Sequence, residues 1–69
     1  MKTSEIQNNF TYHEPTPEKL QKYEFIRTTA RSLAYFIEDA CPESREKSLS
    51  FTKIEEAVMW ANAAIARNS

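Results

Sequence analysis

Apolar residues at Tyr23, Ile26, Ala30, Leu33, Ala34, Ile37 and Cys41 fall on one narrow stripe at helical spacing, with most polar residues off it. The stripe predicts an amphipathic helix over about residues 17 to 40. Its start is marked by Thr16, whose hydroxyl can accept from a free backbone N–H, by Pro17 at the first helical position and by Glu18 in the first turn, where a carboxylate suits the helix dipole. Its end is marked by Pro42, which biases the preceding residue away from helix. Phe25, Tyr35 and Phe36 lie off the stripe.

Phe51, Ile54, Val58, Ala61 and Ile65 form a second stripe on a helix that continues to about Arg67, started by either Cys41 or Ser44. The two stripes close an antiparallel helical hairpin. The fold class is therefore all-α: a single domain over residues 1–69, with an N-terminal arm or short helix over 1–15, a first long helix over 16–41 and a second over 43–67. No β pattern competes, because the longest alternating piece is Phe10 to Tyr12 and neither Asn-Gly nor Asp-Gly occurs.

Leu49, Met59 and Trp60 are surplus to that hairpin. The run Ala57 to Arg67 is apolar around nearly its whole circumference, and a chain of 69 residues cannot bury it on two sides unaided. Its alanines favour helix and allow close approach of backbones. The pattern predicts assembly with further copies of the chain.

Composition removes several functions. One cysteine permits no intrachain disulfide, and Cys41 at the end of the apolar stripe reads as a buried, inert thiol in a reducing cytoplasm. Neither the first residues nor any later stretch has the apolar length of a signal or membrane segment. Nine basic and ten acidic side chains are interspersed, which argues against coating DNA or RNA but leaves room for a small anion. One histidine and one cysteine make no zinc site, the absence of glycine rules out a phosphate loop, and Glu55 and Glu56 point about 100° apart on a helix. No catalytic residue, metal or cofactor is predicted.

Two groups remain as binding candidates. Arg27 and Arg31 face the same way four residues apart, which is unfavourable unless an acid or an anion lies between them, and Thr28 and Thr29 add hydroxyls. The same spacing also lets Glu24 pair with Arg27 or Thr28. In the arm, Phe10, Tyr12 and His13 are rings in an otherwise polar segment; they can stack on bases, or Phe10 and Tyr12 can pack on Leu20 and Tyr23 to fix the start of the helix.

The arm Phe10-Thr11-Tyr12-His13, the segment Lys22-Tyr23-Glu24-Phe25-Ile26-Arg27, the turn from Cys41 to Ser48 and above all the block Glu55 to Ala66 resemble the phage anti-CBASS sponge proteins. CBASS is a bacterial antiphage system that signals through cyclic oligonucleotides, and the same hairpin resembles part of a Thoeris anti-defence protein. The resemblance implies a compact homohexamer that sequesters cyclic nucleotides without cleaving them, in the cytoplasm of the infected bacterium. It implies a site for cyclic dinucleotides such as 3',3'-cGAMP in which Tyr12 stacks on a base while Arg27 and Thr29 contact phosphate, with Thr28 and Phe10 as neighbours. Arg27 stands where a lysine also occurs in that family, which keeps the charge and changes the donor geometry. A second site, for cyclic trinucleotides, would use His13 and Arg67, with His13 in place of an amide. The competing reading is a non-catalytic helical adaptor or inhibitor that docks another protein through Met59 and Trp60.

Overall fold

The computed structural model describes residues 1–68, so Ser69, the last residue of the expected domain, lies outside them. The described residues form three helices: α1 (Thr3–Asn9), α2 (Pro17–Ala40) and α3 (Arg45–Asn68). None is a strand.

Local chemistry sets the ends of the long helices. Thr16 is extended and its hydroxyl accepts from the Lys19 N–H at 3.2 Å, while its carbonyl accepts from Leu20 at 2.9 Å. Pro17 follows, where a missing N–H costs nothing. At the other end the Cys41 N–H closes the last turn on the Ile37 carbonyl at 3.0 Å, and Cys41 itself is extended at φ −108°, ψ 138°, the conformation that Pro42 favours in the residue before it. Ser44, not Cys41, starts α3: its hydroxyl accepts from the Lys47 N–H at 3.1 Å.

Cys41 departs from its expected burial and is exposed. The reason is the backbone: one residue beyond the helix, in extended conformation, its side chain leaves the stripe that ends at Ile37. Leu33 sits at the stripe's edge and stays half exposed at 49 %. The second stripe is placed as read, with Phe51, Ile54, Val58, Ala61 and Ile65 all half-buried.

α2 and α3 pack along their stripes in a slab of 45 × 30 × 13 Å. Thirteen ångströms is about one helix with its side chains, so the hairpin is a single layer and both broad faces are open. Its radius of gyration is 15.3 Å, against about 11 Å for a compact chain of this length. Among the described residues no apolar side chain is fully buried, and Phe25, Tyr35, Phe36, Met59 and Trp60 are each at least 66 % exposed. Exposed apolar side chains in this number mark surfaces open to interaction.

The closed end of the hairpin is tied by a lysine. Lys47 is buried, and its ammonium donates to the Glu38 carbonyl at 3.0 Å and to Glu43 Oε1 at 2.7 Å, with Glu38 Oε2 at 3.3 Å. The hydrogen bond to Glu43 raises its pKa, burial opposes that, and Glu38 adds to the rise. One side chain thus joins the end of α2, the turn and the first turn of α3.

Candidate functional site

The arm leaves α1 at Phe10, whose N–H still bonds the Ile6 carbonyl, and runs without helix to Thr16. Phe10 and Tyr12 are 83 % and 82 % exposed, so neither ring staples onto Leu20 or Tyr23. Both present open faces for stacking. His13 is different: half-buried, it donates from Nε2 to the Asn8 carbonyl at 2.7 Å, which fixes the proton on that nitrogen. Thr11 folds back through its hydroxyl onto the Gln7 carbonyl.

Asn8 connects this arm to the far end of the chain. Its Nδ2 donates to the Arg67 carbonyl at 3.2 Å across 59 residues of sequence, so His13, held on the Asn8 carbonyl, and the half-buried Arg67 are linked through one residue. α1 has only seven residues and no side-chain cap from Lys2. A helix that short is unstable alone, and tertiary bonds such as Asn8 to Arg67 anchor it.

In the middle of α2 the Arg27 guanidinium pairs with the Glu24 carboxylate three residues earlier, and the Thr28 hydroxyl reaches the other Glu24 oxygen at 3.5 Å. Arg27 holds Glu24 below the usual carboxylate range, first by its hydrogen bond and then by its charge; the more distant Arg31 charge and the Thr28 hydroxyl add smaller effects. Arg27 and Arg31 together line an open groove of about 430 Å³ between α2 and α3, floored by Ala30, Ala34, Ile54 and Val58 and edged by Glu55 and Met59.

Thr29 is not in that groove. Two residues along a helix is a turn of about 200°, which carries it to the opposite flank. There it lines a second groove, of about 260 Å³, with Phe25, Leu33 and Ala57. A single hairpin therefore brings Arg27 and Thr28 together around Glu24 and holds Thr29 on the other side. Within one chain Arg27 and Thr29 therefore share no groove.

Two residues that matter to this geometry carry little sequence signal, and a third shows only part of its role. Asn8 sits in a polar stretch with no periodicity, and its partner is a backbone carbonyl at the other terminus. Lys47 looks like any solvated lysine, although Glu43 four residues before it was a cue. Arg31 was visible beside Arg27; its lack of an acidic partner was not.

Among the described residues no group of three or more histidine, cysteine or acidic side chains is arranged to hold a metal, and no helix is long and apolar enough to cross a membrane. An open single-layer hairpin, with exposed rings on an arm and arginines in a groove, defines a small helical protein built to meet other molecules along its faces. The chain matches the family model described as Acb2/Tad1, hairpin domain, over residues 1–66, and it belongs to that family of anti-CBASS and anti-Thoeris sponges. No curated protein and no solved structure matches it. Members of the family take up phage-directed cyclic nucleotide signals, and they bind rather than cleave them.

Proposed function

We propose that this protein is a phage-encoded sponge that binds and sequesters cyclic di- and trinucleotide immune messengers intact, in the cytoplasm of the infected bacterium, and so blocks CBASS signalling. The family match over residues 1–66 carries this reading. The exposure of Tyr12 and the separation of Arg27 from Thr29 support a composite pocket. In it Tyr12 stacks on a base of a 3',3'-cGAMP-like dinucleotide. Arg27 of one protomer and Thr29 of another contact phosphate, with Phe10 and Thr28 beside them. The working unit is a homohexamer. A second site takes cyclic trinucleotides at His13 and Arg67, which Asn8 holds in register.

Stacking is worth about 1–3 kcal/mol per base, and charge-assisted bonds to phosphate supply orientation, so no nucleophile or metal is required. Calorimetry with a panel of cyclic di- and trinucleotides, followed by heat denaturation and chromatography of the released ligand, tests the proposal. Tight binding with intact ligand recovered is the expected result; no binding, or only linear products, overturns it.

The adaptor reading retains one observation, the 66 % exposure of both Met59 and Trp60. Mass in solution separates the two. A stable monomer leaves that face for another protein, whereas a defined homo-oligomer covers it with copies of the same chain.

A further inference from the structure

The groove that holds Arg27 contains a second cation with different circumstances. Arg27 is occupied by Glu24, whereas Arg31 is exposed and no carboxylate of the described residues lies within ion-pair distance of it. Glu55 edges the same groove without reaching it. Two arginines at positions i and i+4 repel, and a single acid bound to only one of them relieves that repulsion in part. The Glu24 carboxylate places one oxygen on the Arg27 guanidinium and the other towards the Thr28 hydroxyl, and a phosphate offers two oxygens to the same donors.

Resting on the sponge reading above, we propose that Arg31 is a second phosphate-binding cation of the dinucleotide site, and that Glu24 is an internal stand-in for the phosphate, displaced from Arg27 when the ligand arrives. The incoming phosphodiester takes the Arg27 fork and reaches Arg31 with its second free oxygen. Glu24 swings out to water, which its exposed position allows. The free protein thereby keeps a cationic groove closed to weak anions. An anion must out-compete a tethered carboxylate, and a phosphodiester that engages both arginines does so.

The experiment is calorimetry with 3',3'-cGAMP on the wild-type protein and on Arg31→Ala, Arg31→Lys and Glu24→Gln, with circular dichroism and solution mass recorded for each. Arg31→Ala is expected to weaken binding by about 10-fold or more and Arg31→Lys by less, because lysine keeps the charge and loses the fork. Glu24→Gln is expected to tighten binding several-fold, an outcome that loss of a structural ion pair does not produce. High salt should narrow the gap between wild type and Arg31→Ala. Equal binding by Arg31→Ala, or weaker binding by Glu24→Gln, overturns the inference while the sponge reading stands. Absence of any binding by the wild-type protein overturns that reading and this inference with it. Because Glu24→Gln is read independently, an assembly defect in an Arg31 variant does not remove the test.

Discussion

The two ends of this hairpin are built by opposite rules. At the turn, Lys47 is buried among Glu38, Glu43 and the end of α2, and its polar demands are met within the chain. Towards the arm, Phe10, Tyr12, Phe25 and Arg31 are left to solvent, and the one firm pairing, Arg27 with Glu24, is exposed and replaceable. The difference separates what the chain does for itself from what it leaves for others. A slab 13 Å thick cannot enclose a ligand or a core, so its self-sufficient region is confined to the loop that keeps the two helices in register. The rings of the arm and the two grooves are left open, where the proposed assembly would add a second copy.

The largest expected effect comes from breaking the open faces. Trp60→Asp places a carboxylate on a surface that the proposed hexamer should desolvate, and the mass in solution should fall from hexamer to smaller species, with loss of dinucleotide binding because the proposed composite pocket disappears. An unchanged mass would mean that the Met59 and Trp60 face is not where copies meet. Tyr12→Ala is the next test. It should reduce binding of cyclic dinucleotides by about 10- to 100-fold, the value of one ring stacked on one base, and leave the mass unchanged. If the mass falls instead, the arm belongs to the assembly rather than to the site.

At the closed end the expected effect is on stability alone. Lys47→Ala removes the tie between α2 and the turn together with the packing of the lysine stem, and the thermal midpoint should drop by at least about 5 °C. Lys53→Ala is the control. Its partner Glu56 is 3.7 Å away and both side chains are largely exposed, so its loss should be close to silent. The midpoints must be compared at one protein concentration, since assembly adds its own stabilisation.

The same contrast explains what was legible in the sequence. Local chemistry could be read directly: Thr16 and Pro17 announce α2, Pro42 ends it, and Glu24 three residues before Arg27 announces their pairing. The unread parts depend on contacts distant in sequence or on one bend of backbone. α1 has neither a cap nor a periodic stripe and is tied by Asn8 to a carbonyl 59 residues away. Cys41 fits the stripe by count, yet it is one residue past the helix, and extension before Pro42 turns it outward. The opposite placement of Arg27 and Thr29 follows from 100° per residue. The proposed meeting of the two across protomers does not, because the partner's face is not written in one helix's periodicity.

The smallest expected effect is also the one that resolves the two ends in a single measurement, the pH dependence of stability. Glu24 has a folded pKa below its ordinary value of 4.5, so its contribution is complete above that pH and is lost as pH falls below 4.5 through the lowered folded value. Lys47 has a folded pKa above its ordinary 10.5, so its contribution is complete below that pH and is lost as pH rises beyond 10.5 through the raised value. The acid limb thus reports the Arg27 groove and the alkaline limb reports the turn. Thermal midpoints followed across both limbs should show Glu24→Gln flattening only the acid side and Lys47→Ala only the alkaline side. An effect of either variant on the opposite limb would mean that the two ends are coupled through the slab, and that an incoming phosphate at Arg27 would be felt at Lys47.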